Sequence, residues 1–207
     1  RGVINSGDMV AIKDKTPWPD HFGGINNKFT YGNFDMNVFF QYSVGNYVFN
    51  HSRYTQEQVG WSFNYGGFFI PYGNNTKRVV EERWQNPGDD TNIPRASLGW
   101  EFDEDGNIIG PNQPNWMEDC DQWLEDASYL RLKTFELGYN LKSDYFEKFG
   151  ISDARIYFVG QNLWTLTKYL GMDPEVSSNG ENPLRAGEDY GGLGQAKTYY
   201  FGIRLGV

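Results

Sequence analysis

The sequence has a single cysteine, Cys120. One thiol excludes an internal disulfide and offers no metal-ligand spacing. No apolar run approaches the roughly 18 residues that a membrane-crossing helix needs. That test does not reach a membrane-spanning barrel, whose strands need an apolar side chain only at every second position. There is no Lys/Arg run or basic patch, and the net charge is −9. Nothing is therefore present to neutralise phosphates, which argues against nucleic acid as a partner. Hydrophobic residues amount to only 39% and mean hydropathy is −0.65, thin for a core buried on all sides. The chain begins at Arg1 with neither Met nor a signal peptide, which suits a mature form or a piece of something longer.

What is abundant is aromatic side chains, 17% of 207 residues, together with 25 Gly. That mixture fits many strands joined by turns, with aromatics at interfaces or ligand surfaces. A helical bundle fits badly, because Gly is disfavoured inside helices.

The most informative stretch is Asp126 to Leu141, DASYLRLKTFELGYNL. Successive side chains of a strand point to opposite faces. From Tyr129 the odd positions are Tyr129, Arg131, Lys133, Phe135, Leu137, Tyr139 and Leu141, expected to share one face. The even positions are Leu130, Leu132, Thr134, Glu136, Gly138 and Asn140. A strand this long suits a tilted membrane-spanning strand of about 9–11 residues with an extension beyond the lipid; a long arm of a soluble β-sandwich is the alternative.

Other segments share the pattern. Ile25, Asn27, Phe29 and Tyr31 alternate with polar residues before a tight turn at Gly32-Asn33. Phe34, Met36, Val38, Phe40, Tyr42 and Val44 then oppose Asp35, Asn37, Phe39, Gln41 and Ser43, so the alternation pins the register of a hairpin. In 152–167 the alternation is blurred, and its faces stay open. At the end of the chain, Tyr199, Phe201, Ile203, Leu205 and Val207 oppose Thr198, Tyr200, Gly202, Arg204 and Gly206. The N-terminal 21 residues read as loop, with a short strand near Met9 to Ile12. A helix is expected at Thr76 to Trp84, and one helical turn within Lys142 to Gly150, with Tyr145, Phe146 and Phe149 tucked inward.

Strands are therefore expected at 23–31, 34–50, 126–141, 152–167 and 197–207, and their connections alternate in length. Those at 32–33 and 142–151 are short, while 51–125 and 168–196 are long. Short turns on one side and long loops on the other mark an outer-membrane barrel. In such a barrel Phe34, Met36, Val38, Phe40, Phe135, Leu137, Tyr139, Phe201, Ile203 and Leu205 face lipid. Tyr31, Phe34 and Tyr139 would form one aromatic girdle, and Trp164, Tyr169 and Tyr199 the other.

Several motifs in order carry a resemblance. Ser128-Tyr129-Leu130-Arg131-Leu132-Lys133 followed by Leu137-Gly138-Tyr139 resembles a motif near the end of SusC/RagA-type TonB-dependent transporters of Bacteroidetes outer membranes. Phe22-Gly23-Gly24-Ile25-Asn26-Asn27, Arg83-Trp84, Ile93-Pro94-Arg95, Gly160-Gln161-Asn162-Leu163 and Gly171-Met172-Asp173-Pro174-Glu175-Val176-Ser177 resemble further segments of that family, as does the closing strand Tyr199 to Leu205. The end at Gly206-Val207 departs from the family's usual aromatic terminus. The resemblance implies an all-β fold: an antiparallel transmembrane β-barrel portion with long extracellular loops, about six C-terminal strands of a barrel of about 22. Residues 1–207 would be one C-terminal segment, with the plug domain and N-terminal strands lying outside it. It implies import of glycan or peptide fragments. The expected partners are the N-terminal remainder of the barrel, a SusD-like surface lipoprotein, the TonB–ExbB–ExbD system acting through the plug, and outer-membrane lipid.

Enzymatic chemistry finds little support. Acidic pairs such as Glu81-Glu82 and Asp89-Asp90 sit in loops, and loop spacing does not establish the cleft of about 5–9.5 Å that a glycosidase needs. His21 and His51 are in no triad arrangement. Asp103-Glu104-Asp105-Gly106-Asn107 opens like a calcium loop, but the Glu required later falls on Pro114. No cofactor is expected, a looser loop calcium site being the less favoured alternative. Aromatic rings stack on sugar faces, so Trp84, Trp100, Trp116 and Trp123, with Arg83 and Arg95, are the candidate substrate or partner contacts in the extracellular loops. Packing of the loops is the competing role. A soluble carbohydrate-binding β-sandwich and a small self-contained adhesin barrel remain alternatives.

Overall fold

The computed structural model describes residues 10–57, 62–65, 68–71, 76–93, 95, 99–112, 121–141, 147–179 and 182–206. In chain order the elements are β1 (His21–Tyr31), β2 (Phe34–Val44), β3 (Tyr47–Asn50), α1 (His51–Gln56), β4 (Ser62–Tyr65), β5 (Phe68–Pro71), α2 (Lys77–Glu82), β6 (Gly99–Phe102), β7 (Ile108–Asn112), β8 (Leu124–Asp126), β9 (Tyr129–Leu141), β10 (Asp153–Thr167), β11 (Glu188–Asp189) and β12 (Thr198–Gly206). Among the described residues no helix is long and apolar enough to cross a membrane.

The alternating stretches pair as their hydrophobic pattern demands, in a five-stranded sheet of order β1-β2-β9-β10-β12. Every pairing is antiparallel. Register brings apolar residues opposite one another. Phe34, Met36 and Val38 face Tyr139, Leu137 and Phe135, and Ile156 and Phe158 face Tyr139 and Leu137 on one side and Ile203 and Phe201 on the other. This face is open. Phe201 is 83% and Ile203 69% exposed, where a β-sandwich would bury both under a second sheet.

Two irregularities interrupt the sheet, and the first corrects an expected facing. In β9, Phe39 pairs with Thr134 but Phe40 pairs with Leu132, leaving Lys133 as an extra residue. Such a bulge reverses the alternation beyond it. Leu132 and Leu130 therefore continue the apolar face, and Tyr129 and Arg131 turn to the polar one instead of sharing a side with Phe135. In β10 the register moves between Gln161 and Trp164, where Asn162 adopts φ 52°, a conformation that Asn tolerates better than most residues. The even positions keep one face throughout, and the blurred pattern of 152–167 comes from Tyr157 and Val159, which put apolar side chains opposite Gly138 and Glu136 on the other face. Ile156, Phe158 and Gly160 lie on the apolar face below the bulge, and Trp164 and Leu166 opposite Leu132 and Leu130 above it.

The stretch 34–50 does not stay in one sheet. Gly45, at φ 92°, turns the chain out, and β3 joins a small sheet of order β11-β3-β8. β9 accordingly starts at Tyr129, because Leu124–Asp126 pairs with β3. The backbone N–H of Ala127 donates to Asn46 at 2.9 Å, so both chains leave the main sheet at one height.

The region 51–125 is more ordered than its composition suggests. α2 forms within the expected 76–84, with Thr76 as its N-cap accepting from the Val79 N–H. The apolar core lies in these connections: Val79, Ile93 and Trp123 form one buried cluster, flanked by Phe49 and Tyr54, and Val48, Ala127 and Tyr169 another. Tyr169 is therefore a core residue, with its hydroxyl donating to Asp189 at 2.6 Å, and not part of an aromatic girdle. Residues 10–12 form no strand; Met9 lies outside the described residues. The helical turn Glu147–Phe149 is present, but Phe149 is 77% exposed and not tucked inward. Tyr145, Phe146 and Val207 lie outside the described residues.

Candidate functional site

The polar face of the main sheet carries two charge clusters, one near each end. Beside the short turn, Arg155 of β10 reaches Asp35 of β2, its Nε donating at 3.1 Å, and Glu136 of β9 at 2.8 Å. Asn140 donates to the same Asp35 carboxylate at 3.0 Å. A Cβ at Gly138 would run into the Arg155 guanidinium, so the arginine head lies across bare backbone and a side chain there would displace it. One cation thus ties three neighbouring strands on the face that the apolar side chains leave.

At the long-loop end the cluster is buried. Arg131, 1% exposed, donates to Asp173 at 2.6 Å and ion-pairs with Glu175 at 2.7 Å. The Tyr129 hydroxyl donates to Glu175 at 2.6 Å, and the Gln41 amide donates to Glu175 at 2.9 Å. Asp173 also accepts the N–H groups of Glu175 and Gln195, at 2.9 and 2.8 Å. Burial opposes ionisation of Asp173, but the Arg131 guanidinium and these N–H groups outweigh it and hold its carboxyl below the usual range. The bulge at Lys133 creates this arrangement by turning Arg131 away from the apolar face. The loop 168–196 is thereby latched to the wall.

A third network secures the loops to each other. Arg53 of α1 pairs with Glu57 at 2.6 Å and with Glu125 of β8, and Arg78 of α2 pairs with Glu57 at 2.9 Å. Asn50 caps α1 by accepting from the Arg53 N–H at 2.9 Å. The Leu170 N–H donates to Glu125 at 2.8 Å. Asp189 accepts from Tyr169 and from the N–H groups of Gly191 and Gly192. Burial, then the hydrogen bond to Asp189, push the Tyr169 hydroxyl pKa upward.

The described candidate contact residues sit in different settings. Trp123 is fully buried, packed on Tyr54 at 5.8 Å beneath the Arg53 guanidinium at 5.6 Å. Its ring is closed to a ligand, which corrects its assignment as a contact, because apolar loop residues gain more by packing together. Trp84 is half-buried and its N–H donates to Ile93 at 2.9 Å. Arg83 is half-buried and its guanidinium turns back to the Val80 carbonyl. Arg95 is exposed. Trp100 pairs through its backbone with Pro111, its side chain lying outside the described set, and Trp116 lies outside the described residues. The Asp103 carboxylate is engaged by the N–H groups of Asp105 at 3.0 Å and Asn107 at 2.7 Å. Among the described residues no three His, Cys, Asp or Glu are grouped to hold a metal ion.

Sequence reasoning missed Arg131, Asp173 and Glu175 as partners. All three stand in motifs visible in the sequence, and an arginine inside an otherwise amphipathic strand was the available signal.

No protein-family model matches the chain. It is 33% identical over 208 residues to TonB-dependent receptor P3 of Formosa agariphila, across 99% of this chain and 18% of that relative. It is 27% identical over 208 residues to TonB-dependent receptor SusC of Bacteroides thetaiotaomicron, across 99% of this chain and 16% of that relative. Its fold matches the RagAB peptide importer in the open-open state with a TM-score of 0.67 and 25% identity, over 99% of this chain and 19% of that one. The closed-closed state matches with a TM-score of 0.68 at 25% identity, over 98% and 19%. The chain thus spans less than a fifth of the length of these relatives.

Proposed function

The chain belongs to the SusC/RagA-type TonB-dependent receptors of the bacterial outer membrane, and from that membership we propose that it supplies wall and extracellular loops to a transporter importing glycan or peptide fragments. It is not an enzyme; its task is to enclose and line a route. The carrying observation is the single apolar face that runs in register through all five strands, with charge on the opposite face and the long loops at one end. An open apolar face is costly in water and favourable in lipid. Among the described residues β1 pairs only with β2, and β12 only with β10. Each has a second backbone edge, and in a bilayer such edges must be paired. The remainder of the barrel is the partner that completes them, making residues 1–207 one segment of its C-terminal part. A SusD-like lipoprotein over the loops, and TonB–ExbB–ExbD acting through a plug elsewhere in the receptor, complete the machine. Arg83, Trp84 and Arg95 remain proposed loop contacts, as do Trp100 and Trp116.

The test uses the parent receptor in outer membranes, with single cysteines carrying a fluorophore. Labels at Met36, Leu137, Phe158 and Phe201 should be reached by a lipid-phase quencher, while labels at Thr134 and Gln161 should not. Equal quenching at both sets would sink the wall assignment. Import of labelled oligosaccharide and peptide pools by cells with and without TonB then separates the two substrate classes.

A further inference from the structure

On the polar face of β1 and β2 two residues break the pattern. Asn26, Lys28, Thr30, Asp35 and Asn37 are what a water-facing surface carries, yet Phe22 and Phe39 share their side. Phe22 is 77% exposed within this segment, so the segment's own core does not account for it. Between these rings the sheet has an open hollow of about 400 Å³, whose lining includes Phe22, Gly24, Phe39, Gln41, Ser43 and Tyr129. Gly24 makes room for it: a Cβ there would stand 2.6 Å from the Phe39 ring, so the ring leans across bare backbone. The polar members are held in place. Gln41 donates to the Tyr129 hydroxyl at 2.9 Å, Tyr129 is fixed to Glu175, and Ser43 donates to Asn46 at 2.8 Å.

We propose that this hollow is a subsite on the lumen side of the wall that stacks one neutral hexose ring of an oligosaccharide. The inference rests on the wall reading above, which turns this face toward the lumen. A pyranose has a flat apolar C–H face and a rim of hydroxyls, and the hollow has aromatic walls with amide and hydroxyl groups beside them. A hydrocarbon aromatic side chain would use the walls and leave the rim unfilled. An anionic ligand is disfavoured by Glu175 next to the polar edge and by the chain's net charge of −9. The latch between Arg131 and the Asp173–Glu175 segment orients Tyr129 and Gln41, so that the outer loop and the subsite are mechanically joined.

The experiment uses the purified parent receptor in detergent, titrated with neutral gluco-, manno- and galacto-oligosaccharides and, separately, with a peptide pool. Phe39→Ala and Phe22→Ala should each weaken oligosaccharide binding about three- to tenfold, with Phe39→Trp close to the unaltered receptor. Heat-modified migration on gels reports whether each variant has formed its barrel, and Phe39→Trp keeps the test alive if Phe39→Ala has not. Oligosaccharide binding that is the same in all variants overturns the subsite and leaves the transporter reading intact. So does the absence of saturable oligosaccharide binding, or dependence on Phe39 for peptides alone. Failure of the unaltered receptor to insert in outer membranes would instead remove the wall reading.

Discussion

At the scale of single residues, Arg131 ties the outer loop to the sheet by charge. It is buried against Asp173 and Glu175, and removing one partner of a buried ion pair leaves the other charge uncompensated. Arg131→Ala should therefore cost about 3–5 kcal/mol, read as earlier unfolding of the parent receptor and faster proteolysis within 168–196. Acid should reach the same contact. The Asp173 carboxyl is held below its ordinary value of 3.8, so in the acid range the folded state binds fewer protons than the unfolded chain. Its contribution is complete above that value and is lost as pH falls through the folded one. Amide protection around 172–178, taken relative to the intrinsic exchange rate at each pH, should hold down to about pH 3.8 and fall below it; protection unchanged through that window would show that Asp173 does not hold the loop. Arginine in an alternating strand was visible in the sequence, but its partners lie 42 residues or more away, and no local pattern records that distance.

At the scale of elements, one extra residue decides which side of β9 is wet. Deleting Lys133 joins Thr134 to Leu132 in regular alternation and should leave Tyr129 and Arg131 on the polar side with assembly retained, whereas inserting one residue after Lys133 should turn them to the apolar side and abolish barrel assembly. Heat-modified migration distinguishes the two, and equal assembly would mean that the bulge does not set the facing. Leu137→Arg should cost about 2–4 kcal/mol if the residue lies near the bilayer midplane. Glu136→Gln should cost less, because Arg155 retains Asp35. The apolar positions of β2, β12 and the lower half of β9 were legible because alternation is a local property with a fixed period. The upper half of β9 was not, since a bulge shows only when the partner strand is known, and β10 was not, because Tyr157 and Val159 put apolar side chains on its polar face. The 51–125 region was illegible for a related reason: its core joins α2, Ile93 and Trp123 through contacts between distant short elements.

At the scale of the whole molecule, the five-stranded sheet leaves two unpaired edges among the described residues and an open apolar face, and the proposed remainder of the barrel would cover both edges. The chain expressed alone should be recoverable only with detergent. A monodisperse preparation in plain buffer would contradict a wall segment, because side chains such as Phe201 and Ile203 would then sit in water without cover. The sequence by itself determined that the protein is a meander of long two-faced strands with loops of unequal length at its two ends, since strand periodicity and turn chemistry are written in consecutive residues. Its motifs in order carried the resemblance to a family. Only the tertiary structure decided that Trp123 and Tyr169 are packing residues, that Arg131 latches the outer loop to the wall, and that Phe22 and Phe39 border one hollow. Each depends on which distant segments share a neighbourhood, and burial and charge pairing act through space without regard to position along the chain.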